Sequence, residues 1–261
     1  MKVRKMCLVL AVLMIASAFA AGCGQSAAEP AVSPAVTEET PVSPEPTAQA
    51  EEKKELPPPP DIDIDSWEYL YAGVVCGVGR YHPNVRNIED QLLDSRVTEA
   101  THAFLDAARA EGYKVWIGVG YRNFEYTSYW FADAMNDYGG SYEAAQVDYI
   151  FPAGCTEHST GLAIDITDEF DLAANYYNMH DETVKDTEVY KWMAEHCAEY
   201  GFIVRYPEGK EDYYVKACYP GHFRYVGVEA AEYIMENDLC FEEFLNLYPD
   251  KKLHVTFGPE A

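Results

Sequence analysis

The chain has 261 residues, 48% of them hydrophobic and 14% aromatic, with a formal net charge of -25. So acidic a surface repels nucleic acid and anionic lipid headgroups, which excludes both as electrostatic partners. The apolar material is enough for one sizeable core in a single domain of roughly 200 residues.

Residues 1–22 read as a targeting segment, with Lys2, Arg4 and Lys5 ahead of a short apolar run from Leu8 to Phe19. That run is too short to be a comfortable membrane span. It ends in Ala20-Ala21-Gly22-Cys23, which resembles the lipobox of bacterial lipoproteins, where the cysteine is diacylated and becomes the new N-terminus. The plainer alternative is an ordinary cleaved signal with an incidental cysteine. Two acyl chains on Cys23 suffice for stable anchoring, and place the chain in the cell envelope, on the outer face of the cytoplasmic membrane. Residues 23–60 then form a lipidated cysteine and a tether. Nine of the 15 prolines fall there, among Ala, Ser, Thr, Glu and Val and without an aromatic residue. Such a segment buries too little surface to offset its ordering entropy and extends in part as polyproline II, with a reach on the order of 100 Å.

Residues 61–261 form the domain. From Ser95 to Glu111, apolar residues recur at helical spacing (Val97, Ala100, Phe104, Leu105, Ala108), with Gly112 as C-terminal cap. Lys114 to Val119 reads as a short buried strand and Asn123 to Met135 as an aromatic-rich helix. Leu162 to Ile166 reads as a strand around Asp165, and Glu188 to Tyr200 as an amphipathic helix stopped by Gly201. Phe202 to Tyr206 and His222 to Val226 are strands, with a turn-prone Pro207 to Lys210 stretch between them. Short helices near Glu229–Glu236 and Cys240–Leu247 close the chain. The pattern is α+β: a small, mostly antiparallel sheet flanked by helices.

The informative stretch runs from Thr156 to Asp165, Thr-Glu-His-Ser-Thr-Gly-Leu-Ala-Ile-Asp. His158 and Asp165, seven apart and leading into a strand, can supply an imidazole and a carboxylate from one turn. His222 is a candidate third ligand. Zinc hydrolases use three protein ligands and keep one position for water. Taken singly, each residue has a plainer reading, the histidines as hydrogen-bonded residues and the aspartate as a cap.

The whole pattern resembles the S-x-H-x-x-G-x-A-x-D motif of the VanY-like D-Ala-D-Ala carboxypeptidases, zinc peptidases that act on peptidoglycan stem peptides. The resemblance extends over roughly residues 93–247. Gly120 to Tyr126 is similar to the family's G-Y-R-S-Y-E segment, Tyr200 to Lys210 to its Y-G-F-x-x-R-Y-P-x-G-K segment, and His222 to Gly227 to its H-x-R-Y-V-G segment. The resemblance implies zinc on His158, Asp165 and His222. It implies that Arg122 binds substrate and stabilises developing negative charge, a role suited to a permanently charged fork of donors. Thr156 stands for the motif's first serine and keeps a hydroxyl that can reach substrate or close a local turn. The implied activity is zinc-dependent D,D-carboxypeptidase action on the terminal D-Ala of stem peptides.

One position departs from the pattern. The family reads E-P-W-H, its glutamate being the general base, where this chain reads Tyr219-Pro220-Gly221-His222. Tyrosine, with a reference pKa of about 10, is a poor proton acceptor near neutral pH. Three readings stay open. Another carboxylate (Glu157, Glu208, Glu211 or Asp212) serves as base; Tyr219 hydrogen-bonds the transition state; or the chain is a catalytically impaired zinc- and peptidoglycan-binding lipoprotein. If both histidines hold one metal, Cys155 and Cys218 approach each other, which suggests a disulfide or, less simply, a cysteine ligand.

Overall fold

The computed structural model describes residues 55–73, 77–142, 151–167, 182–214 and 219–250. A single 3-10 turn at Trp67–Tyr69 precedes a hairpin of β1 (Val85–Ile88) and β2 (Gln91–Asp94). Its two loop residues, Glu89 and Asp90, have φ of 51° and 68°, as a tight two-residue hairpin loop requires. The sequence carries no clear signal for this hairpin. Neither residue is the asparagine or glycine that usually marks such a loop.

Helix α1 spans Thr98–Ala110, and the first three residues of the expected helix, Ser95–Val97, form a 3-10 turn instead. The cause is local: Asp94 Oδ1 accepts from the Arg96 amide at 3.0 Å and holds the entry tight. Gly112, at φ 93°, follows the helix end as expected. Strand β3 is Trp116–Val119, and α2 is Phe124–Asp137, with Asn123 capping the Tyr126 amide at 2.8 Å. Then come β4 (Ala163–Thr167), α3 (Glu188–His196), β5 (Phe202–Tyr206), β6 (Tyr219–Tyr225), α4 (Val228–Glu236) and α5 (Phe241–Asn246). The end of the expected 188–200 helix tightens into 3-10 geometry at Cys197–Tyr200, and Gly201 leaves it at φ 80°. Among the described residues no helix is long and apolar enough to cross a membrane.

The main sheet has the order β3-β4-β6-β5, and every neighbouring pair is antiparallel. The α+β expectation therefore holds. Residues paired across an antiparallel ladder share a face. Ile164 pairs with Phe223 and Phe223 with Val204, and this face packs against α1 and α3. Phe104 of α1 sits at its centre, its ring 5.4 Å from those of Tyr200 and Phe202 and 5.5 Å from Phe223. The opposite face carries Asp165 paired with His222, and Ala163 and Ile203 paired with Arg224. Behind it, α4 and α5 form a second core with Ile234, Phe241 and Phe244.

The last prolines of the expected tether lie against this second core. The Tyr233 hydroxyl donates to the Pro57 carbonyl at 2.6 Å, and the Tyr248 hydroxyl to that of Pro60 at 2.8 Å. Residues 1–54, with Cys23 and most of the tether, lie outside the described residues.

Phe104 is fully buried among three aromatic rings. Phe104→Ala should cost about 3–5 kcal/mol in urea unfolding, through lost transfer energy and the cavity left behind.

Candidate metal centre

Three elements converge on one point. Asp165 lies on β4 and His222 directly opposite on β6. His158 comes from a 3-10 turn, Glu157–Thr160, that ends at Gly161 with φ 76°. That glycine serves conformation and space together: a Cβ there would lie 3.1 Å from the Asp94 amide nitrogen and from Pro83. The Gly161 carbonyl accepts from Asp94 N at 2.9 Å, which ties the turn to β2.

His222 Nδ1 lies 2.7 Å from Asp165 Oδ1, and His158 Nε2 lies 3.2 Å from Asp165 Oδ2. One ligand atom from each of the three residues falls within 4.8 Å of the others, and all three residues are buried. Burial opposes the charge of Asp165, but His158 and His222 beside it outweigh burial and hold the carboxyl well below the ordinary aspartate range. Burial also holds the His158 pKa down against the pull of Asp165, with His222 and Arg122 adding to the lowering, so this ring is neutral near pH 7. An ionised carboxylate and a neutral imidazole are the states a metal requires. The outward nitrogens, His158 Nδ1 and His222 Nε2, are buried without a hydrogen-bond partner among the described residues. The imidazole and carboxylate donors turn inward on one another, so the residues fit a metal ion.

Arg122 is held beside this cluster by its backbone, whose amide donates to the His158 carbonyl at 3.1 Å. Its guanidinium lies 5.9 Å from the Tyr126 ring centre and 5.7 Å from that of Trp130. It pairs with no carboxylate among the described residues. Thr156 is the N-terminal cap residue of the His158 turn, yet its side chain makes no capping bond. The local turn bond open to it from sequence is thus not made.

Tyr219 opens β6 and is 3% exposed. Between the pairs Val204–Phe223 and Tyr206–Tyr219, β5 advances two residues while β6 goes back four. This bulge over Pro220 and Gly221 swings Tyr219 towards the metal cluster, its ring 5.3 Å from that of His222 and stacked on Tyr206 at 6.4 Å.

The candidate replacement bases fare differently. Glu157 Oε2 accepts from Arg224 Nη1 at 2.6 Å, and Oε1 lies 3.1 Å from Arg205 Nε. Arg205 in turn holds Glu242 through two bonds of 2.9 and 2.6 Å. All four side chains are buried, so Glu157 is a structural anion whose two oxygens both face guanidinium groups. Glu208 pairs with Lys185 at the surface, Glu211 accepts from the Gly209 amide, and Asp212 is exposed. Arg205 and Arg224 lie within the segments that resemble the family, yet the sequence alone assigns them no role, and nothing local marks Glu242. The available signal was an arginine inside each of two otherwise apolar or aromatic strands.

Cys155 carries a free thiol and is not among the three clustered donors. Cys218, its suggested partner, lies outside the described residues.

The family model of the VanY D-alanyl-D-alanine carboxypeptidases matches residues 90–228, a span that holds His158, Asp165 and His222 with Arg122, Thr156 and Tyr219. The chain belongs to the VanY family. A D-alanyl-D-alanine carboxypeptidase of Enterococcus faecalis is 34% identical over 162 residues, covering 60% of this chain and 56% of the relative. The chain thus spans about half the length of the curated relatives it matches. Among solved structures, VanYB in complex with D-alanine-D-alanine is 28% identical with a TM-score of 0.58, covering 69% of this chain and 98% of that one. A Glu-to-Ala variant of a vancomycin-resistance D,D-pentapeptidase VanY, in complex with Zn(II), has 28% identity and a TM-score of 0.57, with 69% and 100% covered. The LdcB LD-carboxypeptidase is 33% identical with a TM-score of 0.52, with 62% and 74% covered.

Burial opposes the charge of Glu157, but Arg224 and Arg205 outweigh it and bring its pKa below the ordinary value of 4.5. Its pairing therefore contributes stability that is present above about pH 4.5 and lost as pH falls through the lower, folded-state value. Glu157→Gln should lose about 3–5 kcal/mol in urea unfolding at pH 7, because two buried guanidinium groups are left short of an anion. From pH 5 downward its unfolding free energy should fall less steeply than that of the native protein.

Proposed function

We propose that this chain is a zinc-dependent D,D-carboxypeptidase that removes the terminal D-Ala of peptidoglycan stem peptides. A lipid on Cys23 holds it at the outer face of the cytoplasmic membrane, with the following proline-rich segment as tether. The observation that carries the activity is the cross-strand pairing of Asp165 with His222 beside His158, all buried, with ligand atoms within 4.8 Å.

His158, Asp165 and His222 would hold the metal. Bound there, zinc would supply an acidified water and polarise the scissile carbonyl. The remaining work falls to the chain. Arg122 offers a guanidinium that no carboxylate neutralises among the described residues, suited to the charge that develops on a carbonyl oxygen. The Thr156 hydroxyl, which makes no cap bond, can donate to the substrate backbone. Tyr219 stands where the family has its base. Its phenol donates a hydrogen bond readily and accepts a proton poorly at neutral pH. The site so composed binds and polarises a peptide better than it deprotonates water. That same replacement favours the second reading, a zinc- and wall-binding lipoprotein with little turnover.

A stem pentapeptide ending in D-Ala-D-Ala tests both. The native protein should release D-Ala slowly, the release should stop with a chelator and return with Zn2+, and Tyr219→Glu should raise kcat by about 10²-fold or more. Activity only in Tyr219→Glu would establish the second reading. No release from any form, with or without metal, would overturn the enzyme reading. A preference for a tetrapeptide with a single terminal D-Ala would replace D,D- by L,D-specificity.

The metal has its own test. Calorimetric titration should give one Zn2+ per chain, and Asp165→Ala or His222→Ala should lose the tight binding.

A further inference from the structure

The buried charges behind the metal ligands are completed from outside the family match. Glu157, Arg205 and Arg224 lie within residues 90–228, while Glu242 on α5 and the strap of residues 61–72 lie beyond it. Arg224 joins the His158 turn to the strap: Nη1 donates to Glu157 Oε2 at 2.6 Å, and Nη2 to the carbonyls of Glu68 at 2.9 Å and Leu70 at 2.7 Å. Arg205 is shared between Glu157 and Glu242. None of these four side chains is more than 1% exposed. Two anions and two cations balance only when α5 is in place. The strap is pinned a second time where Trp67 stacks on Tyr225, ring centres 5.9 Å apart, with the Arg96 guanidinium 3.9 Å above the Trp67 ring.

We propose that the strap and α5 are positioning elements of the metal centre, acting through Arg224, Arg205 and Glu242 on Glu157. Glu157 is bonded in sequence to His158, and Arg224 lies two residues beyond His222 on the same face of β6. Without Glu242, Arg205 has only Glu157 to turn to. In a low-dielectric interior that redistribution draws Glu157 away from Arg224 and tilts the turn that carries His158. Without the strap carbonyls, Arg224 loses both acceptors of Nη2 and keeps Glu157 and the neighbouring Tyr225 carbonyl. This inference rests on the metal-centre reading given above.

The test uses the full chain and three variants: Glu242→Gln, the milder Trp67→Ala, and Glu89→Gln as a control in the surface pair with Arg109. Zn2+ affinity is measured by competition with a chelating dye, and ligand geometry by the visible spectrum of the Co2+-substituted protein. Both are taken well below each variant's unfolding temperature. Glu242→Gln should weaken Zn2+ binding about 10-fold or more, and Trp67→Ala by a smaller factor. Both should alter the Co2+ spectrum and lower kcat with little change in KM. Glu89→Gln should match the native protein throughout. If Glu242→Gln and Trp67→Ala lower only the unfolding temperature, keeping native Zn2+ affinity and the native Co2+ spectrum, the flanks are structural and the proposal is overturned. A native chain that binds neither ion would instead overturn the metal-centre reading, and this inference with it.

Discussion

The arrangement depends on one buried carboxylate. Glu157 sits where water cannot reach it, and an isolated charge there would be prohibitively expensive. It is tolerated because Arg224 and Arg205 face its two oxygens, and because Glu242 relieves Arg205 of its surplus charge. Such a network gains less net stability than its short distances suggest, since each ion has been stripped of water. What it supplies is uniqueness. Few alternative packings satisfy four buried charges and two strap carbonyls together, so the turn bearing His158 has essentially one place to stand.

The sheet supplies the rest of the site's geometry through its period of two. The face that packs on α1 and α3 is apolar, with Ile164, Phe223 and Val204 in line. The other face holds the candidate metal donors and the ionic network side by side. A register slip of one residue in β6 would exchange Phe223 for His222 and destroy core and site together. The bulge at Pro220 and Gly221 is the one departure from that regularity, and it lies where Tyr219 is turned towards His222. Proline cannot donate to a ladder, and glycine allows the bend, so these two residues tolerate an irregularity that others would resist.

Much of this was legible in the sequence. The helical spacing around Phe104 gave α1, and the alternation around Asp165 gave β4 to within a residue at each end. The clustered candidate donors could be named because His158 and Asp165 lie seven apart in a recognisable pattern, and because a second histidine leads a second matching block. What stayed hidden was of two kinds. The β1–β2 hairpin turns on Glu89 and Asp90, residues with no special claim on positive φ, so tertiary context fixes a loop that propensity would not choose. The start of β6 was masked by Pro220 and Gly221, which read as breakers when seen alone. The ionic network was hidden for a different reason. Its members lie at positions 157, 205, 224 and 242, and an arginine inside an apolar strand signals a buried cation without naming the distant carboxylates that complete the chain of charge.

Helix α2 contrasts with all of this. Among its fourteen residues only Thr127 is buried, while Tyr126 and Tyr129 stand 53% and 77% exposed. Its start is fixed by the Asn123 cap and by the backbone bond of Arg122 to the His158 turn, not by an apolar face sunk in the core. Mutational tolerance should therefore be divided sharply across a few ångströms. The side of the clustered donors is locked by buried charge, whereas the exposed Tyr126 and Tyr129 on the outer face of α2 can be exchanged at little cost in folding. That face is a writable margin along the edge of a fixed site, free to vary in sequence while the buried charges beside it stay the same.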